Sequence, residues 1–251
     1  MKLATLTSPE IAALSRETPI VIPIAALEQH GAHLPVFTDS LLVEEVVRRT
    51  HEHLSPQILV LPVMWLGNSH HHMDFAGTTS AEPRTYLDLL FGIAQNWIAH
   101  GFKRIVFVNG HGGNDVPGQQ VIFELRQRFR ERKNLLLLMA TYWSLAEPAT
   151  TVKGLSQSEM GHAGEWETSM ILRISPDLVK NHKQVPPVQP TEQFAPAAHG
   201  WIMPDRSVQG HIGYPADATA EKGEALLQCF ADGLTSFLWR ALNWEPNGTP
   251  D

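Results

Sequence analysis

Three short apolar runs in this chain each break off into a stretch crowded with glycine, asparagine and histidine, and that repeated seam limits how the chain can fold. The runs are residues 19–27 (PIVIPIAAL), 58–63 (ILVLPV) and 104–108 (RIVFV), with a fourth at 135–141 (LLLLMAT). Each is short and bounded by turn residues, which predicts buried strands. Helical patterns lie between them. Asp39 and Ser40 are N-cap candidates for a helix through Leu54, with Leu41, Val43, Val46 and Val47 on its apolar face. A second helix starts at Ser80 or Ala81 with Pro83 in its first turn, carries Leu87, Leu90, Ile93, Trp97 and Ile98, and stops at Gly101. Asn114 caps a third, with Ile122, Phe123, Leu125 and Phe129 as its buried face; further helices span Gly161 to Ile174 and about Asp217 to Leu242. Strands alternating with helices over short joints require parallel pairing, so the expected fold is a three-layer α/β/α domain with a mostly parallel central sheet.

Ligands of such sheets gather at the carboxyl ends of the strands. The polar seams all fall there: Glu28 to Gly31 after the first strand, Gly67 to His72 after the second, Asn109 to Asn114 after the third. Seven of the 13 histidines lie in short segments with glycine or carboxylates nearby: His30, His33, His70, His71, His72, His111 and His162. The 251 residues suit a single domain, with a long proline- and glycine-rich loop at 184–215 and a frayed tail at 245–251. The net charge of −7 and the lack of a basic stripe argue against nucleic acid, and no apolar run is long enough to span a bilayer. A lone cysteine, Cys229, precludes an internal disulfide, and the N-terminus does not read as a signal peptide. A cytoplasmic location is therefore expected.

Glu28 and His30 are two residues apart, so an extended chain places both on one face, a carboxylate and an imidazole typical of first-row divalent metals. Asp39 returns a second carboxylate. His111 sits among Gly110, Gly112 and Gly113, and a structural turn needs a glycine but not the histidine. In Gly161 to Ser169, helical spacing pairs His162 with Glu165 at i, i+3; if the chain is irregular near Gly164, Glu167 serves equally. His72 is the expected inward member of the His70–His72 tract, and Trp143 or Trp201 can wall a small ligand. Cys229 reads as core. The chain has no HExxH, GxSxG, Walker or dinucleotide-binding motif.

Taken together, Glu28-Gln29-His30-Gly31-Ala32-His33-Leu34-Pro35 with Asp39, Gly67-Asn68-Ser69 to His72, Phe75-Ala76-Gly77-Thr78, Asn109 to Asn114, and His162-Ala163-Gly164 with Glu167-Thr168-Ser169 resemble the creatininase family. Gly210-His211-Ile212-Gly213-Tyr214-Pro215 is a weaker match. The resemblance implies a creatininase-like α/β/α fold, two divalent metal ions, hydrolysis of a small-molecule amide C–N bond and a homohexamer. It implies ligands at Glu28, His30, Asp39 (bridging), His111 and Glu167, and leaves Glu165 beside His162 as a catalytic carboxylate. In creatininase itself a glutamate ligand follows the third-strand histidine by two residues; here that position is Gly113, which argues against creatinine as the substrate.

On this reading the metals activate water, His162 shuttles a proton to the leaving nitrogen, and His33 orients a ligand or substrate from behind. Ser69, His72, Gly112 and Trp143 contact the substrate, a non-peptide amide, cyclic ones included. The metal can be zinc, manganese or iron. Alternatives are a deformylase acting on a formamidopyrimidine nucleotide, a peptidase trimming a peptide-derived cofactor, a non-catalytic metal-binding relative, and a metal-dependent isomerase. The loops at 64–80, 142–160 and 184–215 are expected to wall the pocket.

Overall fold

Because side chains alternate along a strand, a strand that is apolar at every position must be covered on both faces. The computed structural model describes residues 1–189, 194 and 197–246. Its four strands, β1 (Ile20–Ile24), β2 (Leu59–Val60), β3 (Arg104–Asn109) and β4 (Leu136–Thr141), form one parallel sheet in the order β2-β1-β3-β4. Ile20 pairs with Leu59 on one side and Ile105 on the other, and Asn109 closes the β3 register against Thr141. The helices are α1 (Ser8–Ala12), α2 (Thr38–Leu54), α3 (Pro83–Ala99), α4 (Asp115–Arg128), α5 (Pro148–Thr151), α6 (Glu165–Ile174), α7 (Met203–Arg206) and α8 (Ala220–Leu242).

The alternation divides the core in two. Val21, Ala25, Val106 and Val108 pack with Val43, Val46, Met170, Leu226 and Leu234 under α2, α6 and α8. Ile20, Ile22, Ile24, Ile105 and Phe107 pack with Tyr86, Leu90, Ala94, Val121 and Leu125 under α3 and α4. Each aliphatic side chain fully buried this way contributes roughly 1.5–3 kcal/mol. The fold is the expected three-layer α/β/α arrangement. Among the described residues no helix is long and apolar enough to cross a membrane.

Several boundaries differ from the sequence expectations. Of the 58–63 run only Leu59 and Val60 form a strand: Pro62 has no N–H to donate, although Leu61 N and Met64 N still bond to Val21 O and Pro23 O. α2 begins at Thr38, which puts Asp39 inside its first turn rather than at its cap. α6 begins only at Glu165, because Gly161 (φ 68°) and Ala163 (φ 48°) adopt left-handed backbone that a helix does not allow. On α4, Leu125 is buried as expected and Ile122 and Phe129 pack against the core, but Phe123 is 61% exposed and Val121 takes the buried position. α8 starts at Ala220, capped by Thr219, whose Oγ1 accepts the Lys222 amide at 3.2 Å. The described part of 184–215 holds α7, pairs within itself at Val188–Gly213, and joins the rest of the chain at Ile212–His162. The expected frayed tail lies largely outside the described residues.

Helices α6 and α8 meet where Gly223 of α8 faces the α6 backbone, and a Cβ at Gly223 would sit 1.9 Å from the Ser169 carbonyl oxygen. Gly223→Ala is therefore expected to lower the unfolding free energy by about 2 kcal/mol or more by prying the helices apart. Gly92→Ala, on α3 with no atom within 4 Å of the new methyl, should instead be neutral or stabilise by up to about 1 kcal/mol. Urea denaturation of both variants checks the pair.

Candidate metal centre

The chain leaves β1 through Glu28 and His30, leaves β3 through His111, and enters α2 at Asp39. All four side chains are buried at the carboxyl edge of the sheet. Asp39 lies in the first turn of α2, where unpaired backbone N–H groups favour a carboxylate. Its Oδ1 is 3.1 Å from His30 Nε2 and its Oδ2 is 3.1 Å from His111 Nδ1. On one side Glu167 Oε1 lies 3.7 Å from His30 Nε2; on the other Glu28 Oε1 lies 3.3 Å from His111 Nδ1. One carboxylate thus stands between two groups, His30–Asp39–Glu167 and Glu28–Asp39–His111.

Hydrogen bonds behind the cluster fix which nitrogen each imidazole presents. A carbonyl oxygen only accepts, so His30 Nδ1 donates to Glu28 O at 3.1 Å and presents Nε2. His111 Nε2 donates to Asn68 O at 3.1 Å and presents Nδ1. His162 Nε2 donates to Gln29 O at 2.9 Å, leaving Nδ1 facing Glu28 Oε1 at 3.5 Å. The Gln29 side-chain amide donates to His72 Nδ1 at 2.7 Å, which turns the His72 Nε2–H towards Glu28 Oε2. Such outer contacts orient metal-binding imidazoles. His30 Nε2 and Asp39 Oδ2 are buried without a hydrogen-bond partner. Buried polar atoms are normally satisfied, and these two lie within a nest of carboxylates and imidazoles. The donor set and its unpaired atoms fit a divalent cation. Glu28, His30 and Asp39 form a group compact enough to hold one, as do Glu28–His71–His111, Glu28–His72–His162 and His30–His162–Glu167.

The electrostatics agree. Burial opposes charge on His30, but the carboxylates of Asp39 and Glu167 outweigh it and raise its pKa well above the usual value. Burial likewise opposes charge on His111, and Glu28 and Asp39 raise it. Burial pushes Glu28 up, yet His111, His72 and His162 hold it well below the normal carboxylate range. Glu167 is raised by burial despite His30. Burial, then the charge of His30, pushes His162 well below its usual value. Burial also lowers His72 to about 3 and His71 and His33 to about 4. The flanking carboxylates thus make His30 and His111 hold a proton more tightly than a free imidazole, and a cation there competes with that proton.

The remaining predicted site residues separate. His72, His111, His162, Glu167, Gly112 and Trp143 line a cavity of about 780 Å³ above the cluster, with Asn68, His71, Met160, Trp201 and Arg206. All three anticipated loops contribute to its wall. A Cβ at Gly112 would meet nothing within 4 Å. Ser69, placed among substrate contacts from sequence, is buried outside that wall and donates its hydroxyl to Glu28 Oε2. It therefore positions a candidate ligand instead of touching substrate. His33 lies behind the cluster: its Nε2 is 3.0 Å from both Ala163 O and Thr168 Oγ1, bracing the turn before α6. In that turn the left-handed Ala163 aims its N–H at Glu167 Oε2, 2.5 Å away.

Glu165 is a correction. Because α6 starts at Glu165, no helical turn joins it to His162. Its carboxylate accepts from the Ser156 and Gln157 amides at 2.7 and 2.8 Å and from Lys222 Nζ at 2.5 Å, and it does not line the cavity. Glu165→Gln should thus cost about 3 kcal/mol of stability by leaving Lys222 without its buried carboxylate partner, with metal content retained. Glu167→Gln should strip metal with the smaller stability loss; elemental analysis beside thermal melts separates them.

Sequence reasoning missed Gln29 and His71, and it missed the bracing amides. Asn109 Nδ2 donates to His111 O at 2.6 Å while its Oδ1 accepts His111 N at 3.0 Å, and Asn114 joins Ala25 O to the Asn68 amide. Asn114 sits at the α4 N-cap position without capping it. The asparagines flanking the His111 glycines were the available signal. Gly113 is spatially required: a Cβ there would lie 2.3 Å from Asn68 O and 2.4 Å from His111 Nε2.

The chain matches the creatininase family, described as creatinine amidohydrolase, over residues 4–238. It belongs to the creatininase family. Members of the creatininase family are amidohydrolases, and this chain is an enzyme of that class. It is similar to a mycofactocin precursor peptide peptidase of Mycobacterium ulcerans (strain Agy99), at 32% identity over 98% of this chain and 92% of the relative. It is similar also to a creatinine amidohydrolase of Pseudomonas putida, at 28% identity over 86% of each. A solved manganese form of creatininase superposes with a TM-score of 0.82 at 26% identity, covering 97% of this chain and 99% of that one.

Since a cation competes with protons at His30 and His111, its binding releases protons and weakens as pH falls. Without metal, the His30 and His111 pairings stabilise the fold below the ordinary histidine pKa, near 6.5, and that contribution is lost as pH rises through their raised values. The rise in melting temperature on adding Zn²⁺ is expected to grow between about pH 6 and about pH 8. Melts with and without EDTA across that range measure it.

Proposed function

We propose that this enzyme hydrolyses an amide C–N bond with two divalent ions, one held by His30, Asp39 and Glu167 and the other by Glu28, Asp39 and His111. The observation that carries this is Asp39, whose two oxygens approach two different imidazoles at 3.1 Å each. Bound there, the ions would supply a water made nucleophilic near neutral pH and an electrophile for the carbonyl oxygen. The other work belongs to the chain. The reaction adds water across the C–N bond, so the acyl carbon gains oxygen and the departing nitrogen takes a proton. His162 serves that transfer at Nδ1, because its Nε2–H is committed to Gln29 O and its ring is kept neutral by burial. The His72 Nε2–H faces Glu28 Oε2 and helps hold that carboxylate in place. Trp143 and Trp201 wall the cavity against water.

Of the substrate classes anticipated from sequence, a peptide-derived amide fits better than a small cyclic one. A cavity of about 780 Å³ is at the upper range for drug-sized ligands and far exceeds a single small ring. The 32% identity to a precursor-peptide peptidase supports the same choice.

Protein purified without chelator is expected to hold about two divalent ions per chain, and Asp39→Ala to lose both. Fewer than about one ion, with Asp39→Ala unchanged, defeats the proposal. Creatinine, formamides, lactams and short peptides, assayed with added Mn²⁺ or Zn²⁺, identify the substrate class. His162→Asn should cut kcat about 10²-fold or more while leaving metal content intact.

A further inference from the structure

His71 stands beside the cluster without a task in either the ion assignment or the proton transfer. Its place is fixed by its neighbours. The turn at His70–His72 is tied to the segment around His111 through Asn68: its backbone N–H donates to Asn114 Oδ1 at 2.9 Å, its Nδ2 donates to Gly113 O at 3.0 Å, and its carbonyl oxygen accepts from His111 Nε2 at 3.1 Å. The His71 ring then lies close to parallel with that of His111, at 20° with centroids 5.7 Å apart, and meets Trp201 edge-on at 4.9 Å. Gly113 leaves the room for it, since a Cβ there would come within 2.9 Å of His71 Cε1. So held, His71 offers a donor atom to a compact group with Glu28 and His111, in which all three ligand atoms lie within 4.8 Å of one another. Donors on opposite sides of one cation stand about 4 Å apart, so the group is near the size that an ion draws together. Among the described residues the ring nitrogens of His71 have no hydrogen-bond partner, so no existing contact has to break.

Resting on the two-ion reading above, we infer that His71 is a fourth protein ligand of the ion held by Glu28, Asp39 and His111. The two halves of the centre are then unequal. Two imidazoles and two carboxylates serve that side, whereas the other has one imidazole, His30, with the carboxylates of Asp39 and Glu167. Each added imidazole favours zinc over manganese, which suits oxygen donors. The Glu28 side is therefore the tighter and the more zinc-selective, and the His30 side keeps more positions open.

The test titrates metal-free wild type, H71F and H70F with Zn²⁺ and with Mn²⁺ against a chromophoric chelator. H71F keeps a ring beside His111 and Trp201 but offers no donor; H70F alters the neighbouring histidine, whose nitrogens face Ser80 and Glu82. The wild type is expected to bind two Zn²⁺ ions with distinct affinities. H71F should weaken the tighter ion about 10²-fold or more, because losing even a contact behind a ligand costs about 10–100-fold, and should leave the other ion within about threefold. It should also narrow the preference for Zn²⁺ over Mn²⁺ at that position. The visible absorption of Co²⁺ bound at one equivalent should change in H71F, and H70F should match the wild type throughout. H71A carries the same expectations where H71F does not melt cooperatively. A variant at His71 that binds both ions as the wild type does, or that weakens both equally, overturns the inference and leaves His71 as cavity wall. An unchanged Co²⁺ absorption overturns it as well. Fewer than about one ion per chain in the wild type defeats the two-ion reading itself, and this inference with it. A loss confined to one ion, in a protein that hydrolyses no amide, leaves His71 standing as a ligand and counts against the activity assignment alone.

Discussion

The site depends on holding one buried carboxylate between two imidazoles. Asp39 cannot sit there by its own chemistry: like charges from Glu28 and Glu167 crowd it, and burial penalises all three. What holds it is its place in the first turn of α2, a helix whose remaining apolar residues anchor in the core beneath the sheet. His30 and His111 lie in the loops that follow the neighbouring parallel strands β1 and β3, so the strand pairing brings both loops to one edge of the sheet. In the proposed metal centre, metal affinity and fold stability would be coupled through these few residues.

Much of the architecture could be read from the chain because the relevant signals are local. The all-apolar runs could be buried only in a sheet covered on both faces, and residues 83–99 carry a clear helical stripe. Failures occurred where a local preference met a long-range demand. Phe123 has helical spacing but faces outward, because Val121 fills the position that the sheet covers. The region 161–164 looked helical, yet the turn must aim an amide at Glu167, and that requires the left-handed Ala163.

The site was legible to a similar degree. Glu28, His30, Asp39 and His111 were recognisable because strand ends converge in a parallel sheet. Spacing could not choose between Glu165 and Glu167, since that choice turns on where α6 begins. The roles of Gln29, Asn109 and Asn114 were hidden because each arises from contacts between segments distant in sequence. The contact of Ser69 was hidden for the same reason: its hydroxyl meets a carboxylate 41 residues earlier in the chain.

Gly113 has a consequence for how such centres diversify. A glutamate introduced there would have to displace the Asn68 carbonyl that fixes the His111 tautomer, so a gained ligand would come with the loss of an existing one's orientation. The strand-end loops at 68 and 113 would have to move together to admit any side chain at this position.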